Sequence, residues 1–259
     1  MNALSIAMNR YVIPNLKHAC RVMTLLSEEA KPMSIAELSK RLEVPRTSML
    51  RILKTLEAEG MVEAEGRCYV AGAMLLRAGL MALKQSHLRV LAGPVLDKLA
   101  VETRETAHIA KMAGQKMLIL EVSESPNTVR AASQAGTLAD LHCSATGKVM
   151  LAYTVENLAA FFRELPLAQR TEHTITNMEA FEAEIEQTRE RGYGLDDVEY
   201  VVGVRCLAAP VYSALGDVVA AIGITASIMT FTRSKIEFMA ERVQAAAAEL
   251  SVAMGYEPK

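Results

Sequence analysis

The apolar positions of the first sixty residues fall into three short runs with helical spacing. Leu16, Ala19, Met23 and Leu26 recur every three or four residues, one buried face of a helix that Asn15 can cap and that runs to about Glu29. Ser34 and Glu37 form a capping box, in which each side chain satisfies an unpaired backbone N–H, and Ile35, Leu38 and Leu42 continue as a second stripe. Pro45 suits the first turn of a third helix, where its missing N–H would have no partner. That helix is expected to turn Met49, Leu50, Leu53 and Leu56 inward and Arg46, Thr47, Ser48, Arg51, Lys54 and Thr55 outward, with Gly60 ending it. Residues 61–65 and 67–70 then read as two strands turning at Gly66. Three helices followed by a hairpin predict a winged helix-turn-helix over residues 1–71.

Residues 72–91 are apolar on more than one helical face, through Met74, Leu75, Leu76, Leu80, Met81, Leu83 and Leu88. The pattern predicts a connecting helix that packs against something, a second subunit being the simplest candidate. Beyond it, residues 92–259 mix the two periodicities. A helix is expected from Pro94 to about Thr103, and strands over 106–112, 117–122, 129–132, 138–141, 204–212 and 218–225. Further helices are expected over 145–153, 155–162, 178–191 and 233–254, with Gly192 and Gly194 as a break. This second region is an α+β domain of antiparallel hairpins covered by helices.

Composition sharpens the picture little. The chain has 259 residues, 51% apolar and 22% charged, with no Trp, the balance of a folded protein of two domains. The longest apolar stretches, 71–83 and 220–224, fall well short of the ~20 residues that cross a bilayer. Residues 1–10 lack the pattern of a signal peptide, so a cytoplasmic protein is expected. Cys20, Cys68, Cys143 and Cys206 are far apart, which suits reduced thiols better than a zinc ribbon. No cofactor or metal is expected. Residues 1–80 carry eleven Lys and Arg against eight Asp and Glu, net +3, while 81–259 carry seventeen against twenty-two, net −5. The small positive excess sits where DNA contacts would be.

One α-helix fits the major groove, and the second helix of the turn motif enters it with its N-terminal residues toward the bases. Arg46, Thr47, Ser48 and Arg51 occupy that end, Lys54 lies a turn further on, suited to phosphate, and Arg67 sits on the wing. The alternative is an ordinary solvated helix face. The order of elements around it favours DNA.

These segments resemble the DNA-binding region of IclR-type transcriptional regulators: Ser34 to Leu38, Pro45-Arg46-Thr47-Ser48 with Leu50-Arg51-Ile52-Leu53, and Leu56 through Val62. Leu141 to Lys148, Arg191 to Asp197 and Gly203 to Val211 resemble the effector-domain motifs of the same family in order and spacing, so the resemblance covers about residues 14–256. It implies a GAF-like sheet holding a small, usually acidic metabolite, with Ser144, Ala145, Thr146 and Gly147 at a helix start and Asp196, Cys206, Gly223 and Thr225 opposite. The helix start has physics of its own, since unpaired N–H groups and the positive end of a helix dipole favour a carboxylate. Ser144 as a plain N-cap, Asp196 as a turn cap and Cys206 as a core residue are the structural alternatives. Arg130 is a candidate counter-charge.

Two residues depart from the family pattern: Asp140 stands where Pro is common, placing a carboxylate near the pocket mouth, and Cys143 where Ala is common. His142 beside Cys143 invites a nucleophile reading, but neighbours on a strand point to opposite faces. The expectation is therefore a regulator and not an enzyme: a homodimer or homotetramer on a pseudo-palindromic operator, controlling catabolic genes under a carboxylic or aromatic acid effector. An enzyme with an interaction module, and a DNA-binding protein without a ligand, are the rivals.

Overall fold

The computed structural model describes residues 11–29, 31–164 and 167–257. Residues 1–10, read above for a signal peptide, lie outside the described residues. The chain divides into two compact units, Met1–Ser86 and His87–Lys259.

In the first unit, α1 (Pro14–Glu28), α2 (Ile35–Leu42) and α3 (Arg46–Ala58) pack beside an antiparallel sheet of β1 (Met33–Ser34), β2 (Val62–Glu65) and β3 (Cys68–Ala71), in the order β1-β3-β2. The Ser34–Glu37 capping box starts α2, and Glu43 in the left-handed region (φ 58°) ends it and turns the chain into α3. Three expectations are corrected. The N-cap of α1 is Ile13 with Pro14 in the first turn, not Asn15, and Leu16 is 59% exposed while Val22, Leu25 and Leu26 are buried. In α3 the buried residue is Ile52, not Leu50, because the inward stripe runs Met49, Ile52, Leu53, Leu56. Met33 and Ser34 add a third strand to the wing that two residues of sequence could not signal.

The connecting segment is not one helix. α4 (Ala73–Gln85) closes at Ser86, and α5 (His87–Thr103) carries Pro94 in its interior instead of at its start. The hydrogen bond Pro94 cannot make would run to the carbonyl of Val90, a residue 61% exposed. No residue of α4 is buried: Leu76 and Leu80 are 65% and 58% exposed.

The second unit is built on a six-stranded antiparallel sheet, in the order β6-β5-β4-β9-β8-β7: β4 (Thr106–Ala113), β5 (Lys116–Ser123), β6 (Leu138–Asp140), β7 (Gly194–Asp197), β8 (Val204–Tyr212) and β9 (Val218–Ser227). Leu207, Ala209, Ile222 and Ile224 point to one face, against α5 and α9 (Ile236–Ala253). Ala208 and Ala221 point to the other, against Ala145 and Val149 of α6 (Ala145–Thr154). Covering on both faces is why β8 and β9 read as continuous apolar runs. α7 (Leu158–Phe161), a 3-10 turn over Phe162–Glu164 and α8 (Met178–Arg191) complete the α6 side. The strand expected over 129–132 is absent, those residues lying in the long loop between β5 and β6, and β7 stands where only a glycine break was read.

Candidate functional site

α3 exposes what its sequence offers. Arg46, Thr47 and Arg51 are exposed and Ser48 half-buried. The first turn of α3 has no acidic residue and no side-chain cap, so its N–H groups remain free for phosphate. Lys54 is exposed and pairs with Glu57 at 2.6 Å, which raises its already basic pKa; Arg67 is exposed at the tip of the wing.

In the second unit, cross-strand register aligns Asp196 of β7 with Cys206 of β8, and Cys206 with Thr225 of β9. Directly paired residues share a face, so the three form a row beside the start of α6. Ser144 caps that helix, its Oγ accepting the Gly147 N–H at 3.2 Å and donating to the Asp140 carbonyl at 2.5 Å. The N–H groups of Ala145 and Thr146 have no intrahelical acceptor. Ser144, Ala145, Thr146, Asp196, Cys206 and Thr225 all line one cavity of about 400 Å³, closed elsewhere by Ile119, loop residues 131–134 and 137, Ala139, Tyr200, Val201 and Val204. Gly147 and Gly223 do not line it. A Cβ on Gly147 would lie 2.2 Å from the Leu141 carbonyl oxygen, and one on Gly223 would lie 2.2 Å from that of Leu207. They allow close packing around the cavity instead of touching its contents.

His108 of β4, which no sequence motif singled out, lines the same cavity and is 5% exposed. Its Nδ1 lies 3.4 Å from Thr225 Oγ1, which also accepts from Ser133 Oγ at 3.1 Å and Cys206 Sγ at 3.5 Å. Burial pushes the imidazole down to about 4, so it is neutral at physiological pH. Burial also pushes the Asp196 carboxyl up to about 7, against the lowering effect of the Glu199 and Tyr200 N–H groups donating to its Oδ1 at 2.7 and 3.2 Å. Among the described residues no Lys or Arg lines the cavity.

The turn that Asp196 holds is strained. Val198 has φ 69°, a conformation costly for a β-branched residue. Thr171 Oγ1 donates to the Val198 carbonyl at 2.7 Å and Thr174 Oγ1 to that of Glu199 at 2.7 Å, fixing the turn that delivers Tyr200 and Val201 to the cavity. Asp140, next to the cavity-lining Ala139, pairs with Lys116 and Arg170; burial raises its carboxyl, and the two cations together outweigh this and hold it below the usual range. The Arg170 guanidinium lies 4.4 Å from the centre of the Tyr200 ring. Arg130 pairs with Glu124 and does not line the cavity. The His142 Nε2 is 2.9 Å from the Ala168 carbonyl, and burial pushes the Cys143 thiol up to about 12, leaving it without nucleophilic thiolate.

Among the described residues no helix is long and apolar enough to cross a membrane, and no cluster of His, Cys, Asp and Glu could hold a metal ion. Residues 16–66 match the family model described as "IclR helix-turn-helix domain", and residues 80–252 match "Bacterial transcriptional regulator IclR C-terminal". The chain is 32% identical over 225 residues to the HTH-type transcriptional regulator BhcR of Paracoccus denitrificans, covering 86% of this chain and 81% of that protein. An IclR transcriptional regulator structure from Alicyclobacillus acidocaldarius superposes with a TM-score of 0.82 at 27% identity, over 95% of this chain and all of the other (100%). The fold is shared at 20% identity with an IclR homolog from Microbacterium hydrocarbonoxydans complexed with 4-hydroxybenzoate (TM-score 0.76, covering 93% and 98% of the two chains).

Proposed function

Because this chain belongs to the IclR family of bacterial transcriptional regulators, we propose that it controls catabolic genes by binding a pseudo-palindromic operator as a dimer or tetramer in the cytoplasm, under a small organic acid. One observation carries the effector half of this reading: a cavity of about 400 Å³ brings together a helix N-terminus, a carboxyl group, hydroxyls and an apolar wall. Such sites bury most of a small ligand and fix it with a few polar groups. The effector's carboxylate sits at the α6 N-terminus, on the Ala145 and Thr146 N–H groups with the Thr146 hydroxyl, while Ser144, whose hydroxyl donates to the Asp140 carbonyl, holds the helix start in place, and Asp196, Cys206 and Thr225 face it. Arg46, Thr47, Ser48 and Arg51 read the major groove, and Lys54 and Arg67 hold phosphates. Chain pairing through α4 follows from its uncovered Leu76 and Leu80.

The test is titration of the full-length protein on DNA from upstream of its own gene, beside Arg46→Ala and Arg51→Ala, with and without organic acids. Selective binding lost in both variants and weakened by an acid supports the reading. Equal, salt-sensitive binding by all three proteins would overturn the assignment of α3 as the recognition helix.

A further inference from the structure

α3 leaves one large apolar side chain uncovered among its basic groups. Leu50 is 43% exposed, while Met49, Ile52, Leu53 and Leu56 of the same helix are buried. Among the described residues between 17 and 73 it is the only exposed large apolar side chain. Residues three and four apart on a helix are neighbours, about 5–6 Å between Cβ atoms. Leu50 is therefore bordered by Arg46 and Thr47 toward the helix start and by Lys54 a turn further on, and all three are exposed. It is the fifth residue of α3, next to Arg51, in the half of a recognition helix that faces the bases.

The charges around Leu50 indicate what covers it. An apolar protein face laid on Leu50 would also bury the neighbouring Arg46 guanidinium, which is costly without a counter-charge. DNA offers phosphates to the cations and one apolar group in its major groove, the C5-methyl of thymine. Leucine has neither donor nor acceptor, so against the edge of adenine, guanine or cytosine it would strip water from polar groups and give no hydrogen bond in return. We propose that Leu50 is a base-reading residue, its side chain packing on a thymine C5-methyl and fixing a T·A pair at one position of each half-site of the operator. Reversing the pair moves the methyl to the other strand, so the orientation of the pair is fixed as well. This rests on α3 being the recognition helix.

The experiment selects duplexes from a random pool with full-length wild type, Leu50→Gln, Leu50→Met and Arg51→Ala. Affinities are then measured on the duplex preferred by wild type, with each thymine replaced in turn by deoxyuridine, which lacks only the methyl. Wild type and Leu50→Met, which keeps an apolar tip, are expected to lose about fourfold in affinity for each methyl removed at one position per half-site, the effect of one buried methyl group. Leu50→Gln, of similar length and helix propensity, is expected to be indifferent there and to select no thymine at that position. Cytosine in its place is expected to weaken wild-type binding and 5-methylcytosine to restore part of it. Melting without DNA shows that each variant is folded. Affinities that ignore every deoxyuridine, or a deoxyuridine effect unchanged in Leu50→Gln, would overturn the proposal, while lost selectivity in Arg51→Ala would keep α3 as the recognition helix. A Leu50→Gln protein of smaller sedimenting mass with its sequence preference intact would place a protein partner on Leu50 and overturn the proposal likewise. If wild type and Arg51→Ala select no duplex, or the same duplexes with equal affinity, the recognition-helix reading falls as well.

Discussion

The Lys148 ammonium, inside α6, forms an ion pair with Glu199 where water hardly reaches, the two side chains being 1% and 7% exposed. Lys148 also donates to the Leu195 carbonyl at 2.8 Å and to Glu184 at 3.2 Å, while Glu199 Oε2 is buried with no hydrogen-bond partner among the described residues. Burial raises the Glu199 pKa against the opposing attraction of Lys148. The pair ties the helix whose start lines the cavity to the turn that holds Asp196.

Removing one partner of this pair strands the other. Lys148→Ala is expected to cost about 3–5 kcal/mol of unfolding free energy in urea titrations, and the double variant Lys148→Met/Glu199→Leu much less. A single variant as stable as the wild type would show that the pair is not buried in solution.

Asp196 and His108 give stability opposite pH dependences. The folded Asp196 titrates near 7 against 3.8 unperturbed, so its stabilising contribution is complete below pH 3.8 and is lost as the pH rises through 7. The folded His108 titrates near 4 against 6.5, so its contribution is complete above pH 6.5 and is lost as the pH falls through 4. Chemical unfolding across this range is expected to show Asp196→Asn gaining stability with rising pH more steeply than wild type, and His108→Gln less steeply. Curves parallel to wild type would mean that neither group is perturbed.

With α3 reading DNA as proposed, the exposed basic residues of the first unit are expected to divide by role. Arg46→Ala or Arg51→Ala is expected to cost about 1–3 kcal/mol on the operator and to relax sequence preference, the signature of base contacts. Lys54→Ala is expected to weaken all sequences alike and to lower the slope of log affinity against log salt by about one. Titrations at several salt concentrations separate the two, and a uniform loss in all three variants would place every contact on phosphate.

α4 is a helix with no buried residue, and its apolar side chains need cover. Sedimentation is expected to show a dimer or tetramer for wild type and a smaller species for Leu76→Glu/Leu80→Glu. An unchanged mass in that variant would move the subunit interface elsewhere.

Local signals made much of the architecture legible. The Ser34–Glu37 capping box, the Pro45 helix start and the Gly66 turn act over three or four residues, so the first unit can be read from its chain alone. The same holds for Ser144, whose hydroxyl caps the helix it precedes, and for the apolar runs of β8 and β9.

What required the tertiary structure was everything set by long-range pairing. His108 enters the cavity because β4 pairs with β9, 117 residues away along the chain from His108 to Thr225. The pairing of Asp140 could not be read from the chain because its partners, Lys116 and Arg170, come from β5 and from the loop before α8. Leu50 and Leu16 looked buried because the chain specifies a helical period but not the angle at which a neighbour covers it. Sequence determined which residues form helices, caps and strands, because those choices are decided by neighbours in the chain. Folding alone decided which polar groups share a cavity, and with it their protonation, because burial and charge pairing depend on distances in space.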